Sequence, residues 1–130
     1  MSRVARVVFG IADLLTAALV AIGVFAGLPD RWLPVDLGAL VLVGLHLLTG
    51  AGLLVDARWA IPAARATSAT ALALGLGLVG AVAISASYLN GIYGPVGHGG
   101  AVIFLLVGAL ATPYLIVLPA VQLVWLGRRS

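Results

Sequence analysis

Four apolar runs dominate this chain. They cover residues 4–28, 37–55, 66–89 and 101–126. Each approaches or exceeds the roughly 20 residues that a helix needs to cross the hydrocarbon core of a bilayer. Inside lipid every backbone polar group must find its partner within the protein, so runs of this length are expected to be helices. The linkers at 29–36, 56–62 and 90–100 are short and carry Pro, Gly or Asp, the usual punctuation between helices. Linkers this short force sequential helices to run antiparallel. The expected fold is therefore an all-α membrane protein: one domain over residues 1–130, a four-helix transmembrane bundle with up-down topology.

Composition agrees with this solvent. The chain is 63% hydrophobic and 8% charged, whereas soluble domains are about 45–50% apolar and about 25% charged. A water-soluble monomer of this size could not hide so much apolar surface, and a disordered chain would not carry it. No small-residue cleavage site follows the first run, so it reads as a span and not as a signal peptide. Cysteine is absent, which excludes disulfides, thiolate nucleophiles and Cys-ligated metals.

Arginine distribution sets the orientation. Arg3, Arg6, Arg58, Arg65, Arg128 and Arg129 fall on one side of a four-span chain and Arg31 alone on the other. The positive-inside rule then places both termini in the cytoplasm. Trp59 and Trp125 fall at the inner boundary, and Trp32, Tyr88 and Tyr93 at the outer one, as membrane-interface aromatics do. The absence of Lys and Glu, with abundant Ala, Gly, Val and Leu, points to a bacterial inner membrane. The Arg residues sit at segment ends and not in one patch, so no nucleic-acid partner is expected.

Polar groups deep in the spans are costly and therefore informative. Asp13 lies about 10 Å inside the inner boundary, His46 about 15 Å and Gln122 about 9 Å. Thr16 and Thr49 sit one turn from Asp13 and His46, and Thr70 enters from the third span. If their faces turn inward, these groups form one cluster around Asp13, with Asp13 paired to His46 across the first two spans. The pair is either ionised on both sides or neutral and hydrogen-bonded. One reading makes it structural glue, the other a proton- or ligand-handling site that also includes Tyr114.

In the third span, Ala69, Ala73, Gly77, Ala81 and Ser85 recur every four residues. Such small-residue stripes allow close helix contact, either inside the bundle or between copies. Pro113 and Pro119 interrupt the fourth span, and a kink is expected near residues 112–114. The stretch 88–100 holds five Gly, a Pro and no charge. It is expected to be a non-helical outer loop, with Asn90, Tyr93 and His98 as polar tips for a ligand or partner, or simply a tight connection.

His46 and His98 lie at different depths, so they are not expected to grip one haem iron, and His98 has no acidic neighbour for a metal. No metal or cofactor is expected. No HExxH, phosphate loop or deep carboxylate pair occurs, and enzyme activity is not the expectation.

The plan of four short-looped spans with cytoplasmic ends is shared by many small bacterial membrane families, including the DoxX-like group. The run Leu45-His-Leu-Leu-Thr-Gly-Ala-Gly-Leu-Leu-Val55 is similar in texture to that group's second helix. Nothing further is carried over from the resemblance. The functional expectation is a non-catalytic subunit or assembly partner of a membrane complex, in contact with lipid and a homo-oligomer or heterologous partner. The alternative is a small-solute or proton-coupled carrier or lipophilic-ligand binder built on Asp13 and His46.

Overall fold

The computed structural model describes residues 1–28 and 31–127, and every regular element among them is helical. In order these are α1 (Arg3–Ala21), a π-helical turn π1 (Ile22–Ala26), α2 (Leu33–Leu54), α3 (Ala60–Ile92), α4 (Gly94–Thr112), a second π-helical turn π2 (Pro113–Val117) and α5 (Leu118–Gly127). Four continuous segments, Arg3–Ala26, Leu33–Leu54, Ala60–Ile92 and Gly94–Gly127, are long and apolar enough to cross a membrane. Arg128 and Arg129 of the orientation argument lie outside the described residues.

Local signals explain the helix ends. The Ser2 hydroxyl accepts from the Ala5 N–H at 3.3 Å and caps α1. Pro34 and Asp36 occupy the first turn of α2, where a missing N–H costs nothing and a negative charge meets the positive helix end. The second span therefore starts at Leu33, earlier than the apolar run suggested. At the other end Asp56 takes φ 59°. The Ala57 N–H then reaches back to the Gly52 carbonyl at 2.9 Å, a Schellman closure with Asp where Gly is usual.

Contacts step in opposite directions along successive helices. Arg6 pairs with Asp56, Asp13 with His46 and Gly10 with Gly50 across α1 and α2. Asn90 meets His98, Gly75 meets Leu115 and Ser68 meets Gln122 across α3 and the α4–α5 segment. The result is two antiparallel hairpins, each packed along its length, that meet mainly through α2 and α3.

The structure corrects the reading of residues 88–100. They are helical except for Tyr93: α3 runs on to Ile92 and α4 starts at Gly94. Gly94 adopts φ 56°, the left-handed conformation that reverses the chain without a Cβ penalty. At Gly97 any Cβ would collide with the Leu89 carbonyl, so glycine lets the two helices touch directly at the hairpin. Asn90 Oδ1 and His98 Nδ1 lie 2.9 Å apart and clasp the two helix ends. These residues form an exposed hairpin tip, not a non-helical loop.

The reading of the α3 stripe as a contact inside the bundle is also corrected. Ala69, Ala73, Gly77 and Ala81 are exposed and Ser85 is half-buried. The face that packs inside is Ala60, Ala64, Thr67, Ser68, Ala71 and Gly75. The reason is polar: the Thr67 and Ser68 hydroxyls have partners within the bundle, and burying them turns the neighbouring stripe outward.

In the fourth span, where a kink is expected near residues 112–114, the helix carries the π-helical turn π2. Pro113 supplies no N–H to the Ala109 carbonyl, and the helix widens to i→i+5 bonding from Pro113 to Val117. The Thr112 hydroxyl donates to the Gly108 carbonyl at 2.7 Å just before the break. Pro119 likewise removes the α-helical donor of the Leu115 carbonyl, and that carbonyl rests against Gly75 of α3.

Candidate functional site

The two hairpins are tied together by one buried polar network. Asp13 on α1 and His46 on α2 are both 0% exposed, with His46 Nδ1 3.2 Å from Asp13 Oδ1. The Gly10–Gly50 crossing, one turn away, brings these helices close enough for that contact. A Cβ on Gly50 would stand 2.8 Å from the Gly10 carbonyl oxygen. Gln122 on α5 donates its Nε2–H to the same Asp13 Oδ1 at 2.9 Å. The Ser68 hydroxyl on α3 donates to Gln122 Oε1 at 2.6 Å and fixes the amide orientation. Three of the membrane-length segments therefore meet at Asp13, and the fourth, α3, joins through Gln122.

The remaining site residues go elsewhere. Thr49 is buried but bonds Thr67 on α3, hydroxyl to hydroxyl at 2.7 Å. Thr16 is buried and donates to the Ala12 carbonyl of its own helix at 2.9 Å. Thr70 is half-buried and outside the network. Sequence reasoning chose it because of depth and missed Thr67 and Ser68. The signal available was that 67 and 68 share a helical face with Ala60, Ala64, Ala71 and Gly75. Arg6 and Arg65, the other conceivable partners of Asp13, are engaged elsewhere. Arg6 pairs with Asp56, and Arg65 Nη2 donates to the Leu126 carbonyl.

Three buried side-chain atoms have no hydrogen-bond partner among the described residues: Asp13 Oδ2 and His46 Nε2 in the pair itself, and Arg65 Nε. The pair can exist as carboxylate with imidazolium or as neutral acid with neutral imidazole, and in both forms its net charge is zero. That neutrality is what a water-poor interior demands of ionisable groups. The chemistry available is a proton exchanged within the pair, and a polar fixture that sets the register of four helices.

Tyr114 does not join this network. It lies on π2 and lines a cavity of ≈ 360 Å³ between the two hairpins. The cavity lies away from the end that carries Arg3, Arg6, Arg58 and Arg65. Its floor includes Val20, Ala39, Leu42, Ala111 and Leu115, five members of a buried apolar cluster. Leu42 stands one turn from His46 and Val20 one turn from Thr16, so this floor separates the cavity from the polar network. Neither Asp13 nor His46 lines it. Both π-helical turns do: Gly23 and Val24 come from π1, and Tyr114 and Leu115 from π2. Single π-turns inside α-helices recur at functional sites because they redirect side chains locally.

Asn90, Tyr93 and His98 sit together at the exposed α3–α4 tip, remote from both features. Among the described residues no three His, Cys, Asp or Glu side chains come together as a metal site. Comparison with protein-family models, curated proteins and solved structures gives no match to this chain.

Proposed function

We propose that this chain is an integral protein of the bacterial inner membrane, with both termini cytoplasmic, that binds a small lipophilic ligand between its two hairpins. The orientation rests on the arginines. Arg3, Arg6, Arg58 and Arg65 belong to one end of the bundle, where Arg6 meets Asp56 and Arg65 meets the end of α5, and Arg31 belongs to the other. Exposed Trp59 and Trp125 stand at the first end, and exposed Trp32 and Tyr93 at the second.

One observation carries the ligand reading: the ≈ 360 Å³ apolar cavity that both π-turns help to line. Its volume falls within the range of small-molecule pockets, about 300–1,000 Å³. Its rim residues Leu19, Leu28, Leu74 and Leu78 are exposed, so entry is lateral, from surrounding lipid. The polar network closes the hairpins at one end and leaves them apart at the other. It acts as the hinge pin of a binding cleft and not as its chemistry.

Filling the cavity tests this. Gly23 and Gly38 line it and have open space where a Cβ would be. Wild type should carry a small lipophilic molecule through purification, read by mass spectrometry of extracted protein, and the double variant Gly23→Leu/Gly38→Leu should keep its thermal stability and lose it. Equal retention by a folded variant overturns the reading.

A second reading, an assembly partner within a membrane complex, is favoured by the outward stripe. Ala69, Ala73 and Gly77 are exposed on α3, and among the described residues nothing beyond its own helical turn lies within 4 Å of a Cβ at Gly77. Its test is cross-linking in native membranes with Gly77→Leu as control. A cross-linked species that survives that substitution removes the stripe as its interface.

A further inference from the structure

The ligand cavity has a chemical signature of its own. Among the described residues that line it, none is charged and only Tyr114 has a polar side-chain atom. The Tyr114 hydroxyl makes no hydrogen bond with any described residue. In lipid that O–H has no bulk water to turn to, so it gains when an acceptor arrives. Resting on the reading of this cavity as a ligand site, we propose the ligand class: an uncharged single-chain lipid whose head carries one carbonyl acceptor, a fatty ketone or ester, to which Tyr114 donates.

Three features select this class. A carboxylate, phosphate or ammonium head would enter an apolar lining with no counter-charge and pay the desolvation of an unpaired ion. An alcohol or amide head would bring a donor of its own, and the lining offers it only the same phenolic oxygen. A plain hydrocarbon would satisfy the walls and leave the Tyr114 O–H unpaired. A carbonyl on a single chain matches one donor with one acceptor and asks for nothing more. The placement agrees: Tyr114 also packs against the buried floor cluster, so the head lies at the floor and the chain runs toward the leucine rim.

The experiment measures equilibrium binding of radiolabelled 2-tridecanone, tridecane and tetradecanoate to protein in lipid nanodiscs, corrected for protein-free discs. Wild type should bind the ketone about tenfold more tightly than the alkane, the upper part of the range for one buried hydrogen bond. Tyr114→Phe removes only a hydroxyl with no partner among the described residues, so it should fold normally. It should erase the ketone's advantage and leave alkane binding unchanged. Ketone affinity that is equal in wild type and Tyr114→Phe overturns the proposed donor. Tighter binding of tetradecanoate than of the ketone overturns the uncharged head. If none of the three binds above empty discs, the cavity is not a ligand site. That failure falls on the earlier reading and takes this one with it, whereas alkane binding with no ketone preference sinks this proposal alone.

Discussion

His46 Nδ1 lies 3.2 Å from Asp13 Oδ1, and both side chains are wholly buried, whereas the neighbouring Thr49–Thr67 and Ser68–Gln122 contacts join neutral groups. Such a pair is expected to be strongly coupled. Removing one partner leaves the other as an uncompensated buried group, at a cost of about 3–5 kcal/mol where the survivor is charged. Removing both leaves an apolar gap. In reversible unfolding from mixed micelles, Asp13→Ala and His46→Ala should each destabilise strongly. The double variant should lose less than the sum, with a coupling energy of about 1 kcal/mol or more. Strict additivity would mean that the contact contributes nothing.

The Leu115 carbonyl against Gly75 gives a sharper steric prediction. Any side chain at position 75 must push α3 away from π2, because backbone, not a flexible side chain, occupies the space. Gly75→Ala should cost about 1–3 kcal/mol, the range for forced overpacking. Gly77→Ala, two residues on, meets open space and should be neutral or slightly stabilising through helix propensity. Thermal melts of the two variants side by side decide this. Equal losses would show that the face of α3 has been assigned wrongly.

The same helix shows how much the residues disclosed beforehand. Four apolar runs with short linkers dictate four helices, and the depths of Asp13, His46 and Gln122 put them in the same half of the bilayer. Depth alone did not say which α3 hydroxyls face inward, because Thr67, Ser68 and Thr70 lie within one turn. That choice depends on the partners opposite, Thr49 and Gln122, which no local pattern encodes. The Ala69–Gly77 stripe misled for a related reason: small residues occupy two faces of α3, and only one can pack inside. The stretch 88–100 reads as a loop by composition, yet its glycines serve close helix contact at Leu89 and a single reversal at Gly94. The cavity was invisible, since it arises from two hairpins diverging above a shared floor. π1 carries no proline to announce it.

The turn after α2 tests backbone strain separately from charge. Asp56 holds φ 59°, a conformation that costs a residue with a Cβ roughly 1–2 kcal/mol, and it also pairs with Arg6. Asp56 is 74% exposed in its side chain, so the ion pair contributes no more than about 1 kcal/mol. Asp56→Gly loses the pair but relieves the strain, while Asp56→Ala loses the pair and keeps it. The Gly variant should therefore be more stable than the Ala variant by about 1 kcal/mol in chemical unfolding. A ranking in the other direction would show that left-handed strain at position 56 does not set the stability of this turn.

Gln122 offers a test of the network as a unit. Its amide accepts from Ser68 and donates to Asp13, so among the described residues it is the one link between the α3 hydroxyl and the acid. Ser68→Ala removes one donor and leaves Gln122 Oε1 unpaired, a loss of about 1 kcal/mol. Gln122→Leu strands both the Ser68 hydroxyl and one interaction of Asp13, and should cost roughly twice as much or more. Once Gln122 is gone, the Ser68 hydroxyl has nothing left to donate to in the network, and deleting it removes a buried unpaired group. Ser68→Ala/Gln122→Leu should therefore be no less stable than Gln122→Leu alone, and slightly more so. Additive losses in the double variant would show that Ser68 stabilises α3 by some route other than the chain to Asp13.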